Sequence, residues 1–116
     1  MAGIEADDVS LAEVHDAFTI NEILCCEAAG FARRGEGHVL LHEGQTEIGG
    51  KVAVNPSGGL KARGHPVGAT GLCQLYELHN QLLGKSGQRQ VPGAKFGIAI
   101  NEGGSNSIVA THIISN

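Results

Sequence analysis

The segment Asn55-Pro-Ser-Gly-Gly-Leu-Lys-Ala-Arg-Gly-His65-Pro-Val-Gly-Ala-Thr-Gly71 is rich in glycine and carries two prolines, and nothing in it repeats with strand or helix period before its last residues. It follows a brief apolar run, Val52-Ala53-Val54, and precedes a stretch with helical spacing. A loop that joins a strand to a helix at the carboxyl end of the strand is where open α/β sheets bind ligands. Its glycines let backbone N–H groups come close to a substrate, and the start of the following helix adds a positive partial charge. His65 is placed at that helix start, where an imidazole can take or give a proton near neutral pH. The helix dipole there disfavours imidazolium and keeps the ring available as a base. The motif by itself leaves two readings open, a catalytic histidine or one that braces a Gly/Pro loop.

Two phosphate-binding readings fail on their own residues. Gly59 and Gly64 have the spacing of a phosphate loop, but His65-Pro66 stands where Lys-Ser/Thr is required. No complete Gly-x-Gly-x-x-Gly opens a helix, so a dinucleotide fold is not expected.

Working outward, Val9 to Val14 alternates as a strand, after a turn at Asp7 and Asp8. Thr19 with Glu22 has the form of a capping box, which predicts a helix over residues 20–29 with Ile20, Ile23, Leu24 and Ala28 on its buried face and Gly30 as its stop. Residues 31–50 are glycine-rich, charged and aperiodic, and read as a non-helical excursion loop. The second helix is predicted from Val67 or Gly68 to Leu83, with Leu72, Leu75, Leu78, His79 and Leu82 as its buried stripe. Phe96 to Ile100 reads as a buried strand, 101–107 as a tight turn and Ser107 to Ile114 as a last strand antiparallel to it. The order β-α-β-α-β-β implies an α/β fold, a mixed sheet with helices on its faces.

The chain has 116 residues, 41% of them hydrophobic, and a formal net charge of -4, which fits a single domain with a modest core. Scattered charges give no basic stripe for nucleic acid and no polybasic cluster for a membrane, and the apolar runs are far short of a span. The start, Met1-Ala2-Gly3-Ile4-Glu5, has neither the cationic nor the apolar region of a leader. Three cysteines, Cys25, Cys26 and Cys73, without framework spacing point to a reducing, cytoplasmic compartment and to buried inert thiols. His38 and His42 lack a third ligand at metal spacing, so no metal site is expected.

Gly64-His65-Pro66-Val67-Gly68-Ala69-Thr70-Gly71 resembles the Gly-His-Pro-x-Gly-[Ala/Ser]-[Ser/Thr]-Gly signature of the thiolase family. His15-Asp16-Ala17-Phe18 resembles that family's Asn-Glu-Ala-Phe motif, in the histidine form similar to archaeal and sterol-carrier-protein thiolases. Asn55-Pro-Ser-Gly-Gly is similar to the loop that precedes the family's catalytic histidine, and the likeness keeps its order over residues 3–114. The resemblance implies a partial C-terminal domain of the thiolase fold, incomplete within residues 1–116. It implies an acyl-CoA acyltransferase (acetyl-CoA condensation or 3-ketoacyl-CoA thiolysis) in which coenzyme A thioesters are substrates and no separate cofactor is needed. His65 matches the histidine that activates a nucleophilic cysteine, and His15 the polar group that helps polarise the thioester oxygen, directly or through water. Ala17 and Phe18 would face the pantetheine arm, with core packing as the alternative for Phe18. Asn55, Gly64, Gly103 and Gly104 fall at substrate-binding positions.

The family's third motif offers a Cys or His where this chain has Ile100, which carries no proton. Asn101 keeps the polar neighbour, and Glu102 is a substitute base or a solvated turn carboxylate. None of the three cysteines fills the nucleophile position. The expected partners are therefore acyl-CoA and a cysteine-bearing N-terminal half, without which the chain is inactive. Thiolases assemble as oligomers and an incomplete sheet leaves an open edge, so a homo-oligomer is expected. The alternative reading is a non-catalytic, thiolase-like subunit that binds acyl-CoA or scaffolds a partner.

Overall fold

The computed structural model describes residues 3–116; Met1 and Ala2, part of the start read for a leader, lie outside it. After a 3-10 turn at Ala6–Asp8, strand β1 (Leu11–Val14) leads into helix α1 (Thr19–Ala28). Helix α2 (Gly37–His42), strand β2 (Ala53–Val54) and the short helix α3 (Gly59–Arg63) follow. Helix α4 (Thr70–Leu82), a 3-10 turn at Gly87–Arg89 and strands β3 (Phe96–Gly103) and β4 (Ile108–Ser115) complete the chain. The four strands form one sheet in the order β2-β1-β3-β4. β1 pairs parallel with β2 (Leu11 opposite Ala53) and with β3 (Leu11 opposite Gly97), and β3 pairs antiparallel with β4 (Phe96 opposite Ser115). The mixed α/β sheet follows the sequence reading.

Alternation along β1 divides the core in two. Ala12 and Val14 pack with Cys25 and Cys26 of α1, Leu40 of α2 and Val54, Ile98 and Ile100 of the neighbouring strands. On the other face Leu11 packs with Ala53, Ala99 and Leu78 of α4. Helices therefore cover the sheet on both sides. None among the described residues is long and apolar enough to cross a membrane.

Several predicted details differ, each for a local reason. Thr19 is the first residue of α1 rather than its cap; Phe18 holds the cap position in extended backbone and makes no side-chain cap bond. The buried face of α1 is Asn21, Cys25 and Cys26, while Ile20 (54%) and Leu24 (47%) are exposed. The 31–50 excursion is partly helical. Gly37 N–H donates to Glu27 Oε1 at 2.9 Å, which supplies the start of α2 with an acceptor. A Cβ on Gly37 would meet Ile23 O at 2.8 Å, so only glycine lets α2 lie this close to α1. The 55–66 loop likewise contains α3.

α4 starts at Thr70, later than predicted, and buries Thr70, Gln74, Glu77, Leu78 and Gln81, while Leu72 is 69% exposed. His79, predicted in the stripe, is exposed, and Leu75 and Leu82 are partly buried. Glutamines take the inner face because backbone groups there, of β3 and of the irregular segment after the helix, take them as partners. Gln74 Nε2 donates to Ile100 O (3.0 Å), Gln81 Nε2 donates to Arg89 O (2.7 Å) and Gln81 Oε1 accepts from Val91 N (2.8 Å). β3 runs on through Asn101, Glu102 and Gly103, so the hairpin turn is shorter than predicted and centres on Ser105 and Asn106 in left-handed backbone. β4 is an edge strand with almost every residue exposed.

Candidate active site

β1 leaves the sheet centre, and the chain crosses first to β2 on one side of it and then from β2 to β3 on the other. Such a switch point opens a crevice beyond the carboxyl ends of the strands. A cleft of about 470 Å³ lies there. Its lining includes His15, Ala17 and Phe18 from the segment after β1, His65 from the loop after β2, and Asn101, Glu102, Gly103 and Gly104 from the end of β3 and its turn. The structure thus brings eight of the ten sequence-derived site residues together.

The two imidazoles meet edge to face, with ring centroids 4.9 Å apart. His15 is buried and its Nδ1 lies 3.0 Å from Asn101 Oδ1, an acceptor, so Nδ1 carries the proton. His65 is exposed at the mouth of the cleft. It stands five residues ahead of α4, not at its first turn, and is tied to that turn through Nδ1, 2.7 Å from Thr70 Oγ1. The Thr70 hydroxyl donates to Pro66 O at 3.2 Å, so it accepts from His65 Nδ1–H. In the neutral tautomer this chain selects, the proton sits on Nδ1 and Nε2 is the acceptor, the form of a base. The Asn101 contact fixes the orientation of the His15 ring in the same way.

Glu102 is not a free turn carboxylate. It accepts from Asn21 Nδ2 at 3.1 Å and from Cys25 Sγ at 3.2 Å, which holds it on the cleft wall. Burial, then the Glu102 bond, pushes the Cys25 thiol up to about 12, and burial does the same to Cys26. Cys25 is thus near the cleft but stays protonated and is no nucleophile. Cys73 lies on α4, partly exposed. Ile100 is buried in the core beside α1 and offers the cleft no proton.

Asn55 and Gly64 do not line the cleft. Asn55 adopts left-handed backbone (φ 50°) and its Oδ1 accepts from Val14 N at 2.8 Å, which joins the loop to β1. Gly64 ends α3 at φ 86°. His38 and His42 share α2, one turn apart, and no cluster of three or more metal-type side chains occurs among the described residues.

Two carboxylates that sequence reasoning passed over do much of the local construction. Asp16 Oδ1 accepts from Leu60 N at 2.7 Å, and a Cβ on Gly59 would lie 2.3 Å from Asp16 Oδ2. The Gly58-Gly59 pair is therefore required for α3 to sit on Asp16, and both glycines have positive φ. Glu13, fully buried in β1, accepts from Ser57 N (3.1 Å) and Ser57 Oγ (2.7 Å). The only available signal was the run Glu13-Val-His15-Asp16, with charged residues where a central strand should be apolar.

The family described as Thiolase C-terminal domain-like matches residues 1–116. The acetyl-CoA acetyltransferase of Methanothermobacter thermautotrophicus is 51% identical over 115 residues, covering 99% of this chain and 30% of the relative. Homo sapiens sterol carrier protein 2 is 46% identical over 110 residues, 95% of this chain and 20% of that protein. Among solved structures, a chain of an Ltp2-ChsH2(DUF35) aldolase superposes with a TM-score of 0.75 at 25% identity, covering 95% of this chain and 26% of its own. The chain spans less than a third of the length of each of these proteins.

Proposed function

The chain belongs to the thiolase C-terminal domain family, and on that premise we propose that it is the histidine-bearing part of an acyl-CoA acyltransferase, inactive without a cysteine-bearing N-terminal half. The observation that carries the proposal is the His65 Nδ1–Thr70 Oγ1–Pro66 O chain on the cleft wall, which selects the tautomer whose Nε2 can accept a proton. In this reading His65 takes the proton of a thiol brought by the partner. The thiolate then attacks the thioester carbonyl, and the acyl group passes to sulfur as coenzyme A leaves. His15, through a bridging water, stabilises the charge on the carbonyl oxygen. Phe18 (70% exposed) and Val67 (82%) form an apolar lip suited to the pantetheine arm.

The open face supports the need for a partner. Leu72 (69%) and Tyr76 (68%) form an exposed stripe on α4 adjoining the His65 loop, an apolar surface that association would cover. The exposed edge of β4 supports self-association into a homo-oligomer, and a cytoplasmic setting suits three free thiols. The test is thiolysis of acetoacetyl-CoA by this chain, alone and mixed with the N-terminal part of the Methanothermobacter relative. Turnover is expected only in the mixture, falling at least about 100-fold with His65→Ala. Turnover by the chain alone, lost on mutating one of its own cysteines, would overturn the proposal.

Buried Ile100 favours a second reading, a subunit that binds acyl-CoA without turning it over, because the position leaves the α-carbon proton without an acceptor unless Glu102 takes it. Acyl-CoA binding by the mixture with no thiolysis is its expected outcome.

A further inference from the structure

A carboxyl in the middle of a central strand is costly to bury unless its bonds are needed. We propose that Glu13 is a positioning residue for His65: from β1 it holds both ends of the loop that carries the imidazole. At the near end Ser57 donates to it twice, from N and from Oγ, and Ser57 Oγ in turn accepts from Gly59 N at 3.1 Å, where α3 begins. At the far end Arg63 Nη2 stands 3.7 Å from Glu13 Oε2, two residues before His65. His15 follows Glu13 by two residues, just past the end of β1, so the same carboxyl fixes the loop of one imidazole against the segment of the other.

The charge on Glu13 matters separately from its hydrogen bonds. A glutamine keeps an acceptor for Ser57 N, and its amide nitrogen can donate to Ser57 Oγ in place of accepting from it; what only the carboxylate supplies is an anion for Arg63. All three guanidinium nitrogens of Arg63 are buried with no hydrogen-bond acceptor, so Glu13 is their nearest compensation. The other charged group facing Glu13 is Glu77 of α4, which is itself paired with Arg89 at 3.1 Å. Burial, against the opposing pull of Ser57 and Arg63, pushes the Glu13 carboxyl up to about 7. The anion that grips Arg63 therefore comes and goes in the range where an imidazole works, and the seat of His65 becomes pH-dependent.

The inference rests on the reading of His65 as the site's base only for its meaning in catalysis, and its test reads the ring and the loop, not turnover. Imidazole NMR signals of His65 are followed from about pH 5.5 to 8.5 in the chain alone, as wild type, Glu13→Gln and Ser57→Ala. The difference between variants carries the result. In the wild type the His65 signals should show an added inflection near neutrality that Glu13→Gln removes while leaving the ring in place. Ser57→Ala should shift the His65 signals and speed exchange of the Gly59 amide about tenfold or more. Titrations that superimpose in wild type and Glu13→Gln, with His65 unmoved by Ser57→Ala, would overturn the proposal. If Glu13→Gln does not fold, the Ser57→Ala result decides alone.

Discussion

Glu13 sets a pH dependence of stability whose sign and size follow from its environment. Its carboxyl stands at about 7 in the folded chain against 4.5 for the free group, chiefly because burial disfavours the anion. Between those values the folded state holds a proton that the unfolded chain has released. Stability should therefore be highest for this group below about pH 4.5, fall as pH rises toward 7, and level off above it. A shift of 2.5 units, 7 minus 4.5, at about 1.36 kcal/mol per unit amounts to about 3 kcal/mol. Set against the roughly 5–15 kcal/mol of an ordinary domain, that is easily measured. The assay is urea denaturation at half-unit steps from about pH 5 to 8, on the wild type and Glu13→Gln. The raised Glu22 and lowered Glu27 carboxyls contribute to both proteins, so they cancel in the difference. The wild type should lose about 2–3 kcal/mol relative to Glu13→Gln across that range. Parallel curves, or a wild type that gains on the variant as pH rises, would show that Glu13 is charged throughout and that Arg63 outweighs the cost of burial.

Thr70→Val removes the acceptor of His65 Nδ1–H; imidazole nitrogen NMR should then show a mixture of tautomers, and stability should drop by about 1 kcal/mol. Iodoacetamide should label Cys73 and spare Cys25 and Cys26, whose thiols are pushed to about 12; mass spectrometry of the digested chain reads the pattern. Leu78→Ala, at a fully buried contact between α4 and the sheet, should cost about 2–5 kcal/mol in the same urea assay. Light scattering should report at least twice the mass of one chain, and the double substitution Val109→Lys, Ile113→Lys on exposed β4 should bring it to the monomer value.

The succession of strands and the two long helices, and the meeting of His15 with His65, were legible because each depends on local signals. Alternation named β1, turn glycines bounded the loops, and two loops after parallel strands must open on the same side of the sheet. The short helices were not legible. α2 exists because Glu27 and Gly37 meet across ten residues, and α3 because Asp16 caps Leu60 across forty-four, contacts that no window of sequence contains. Glu13 escaped for the same reason. Its partner Ser57 is forty-four residues away, and by itself a glutamate in a strand reads as solvent-facing.

The errors in the helical stripes have a different origin, and they agree with one another. Periodicity assigned Ile20 and Leu24 of α1 and Leu72 of α4 to the core, yet all three are exposed, while Asn21, Gln74 and Gln81 are buried. Each helix is apolar on two sides or polar on the side it buries, which a helix covering one sheet face has no reason to be. Polar side chains inside α4 are explained by the backbone groups they satisfy. The apolar residues outside are not explained by anything within the chain. Hydrophobic spacing records every surface a helix must cover, including those met only in an assembly. A chain that spans 30% of its acetyltransferase relative would show this mismatch wherever the remaining part packs. If so, Leu72→Asp and Tyr76→Asp should leave the melting of the isolated chain nearly unchanged, since both side chains are about two-thirds exposed, and should abolish binding to the relative's N-terminal part. A large loss of stability in the isolated chain would mean that the stripe serves this domain's own fold.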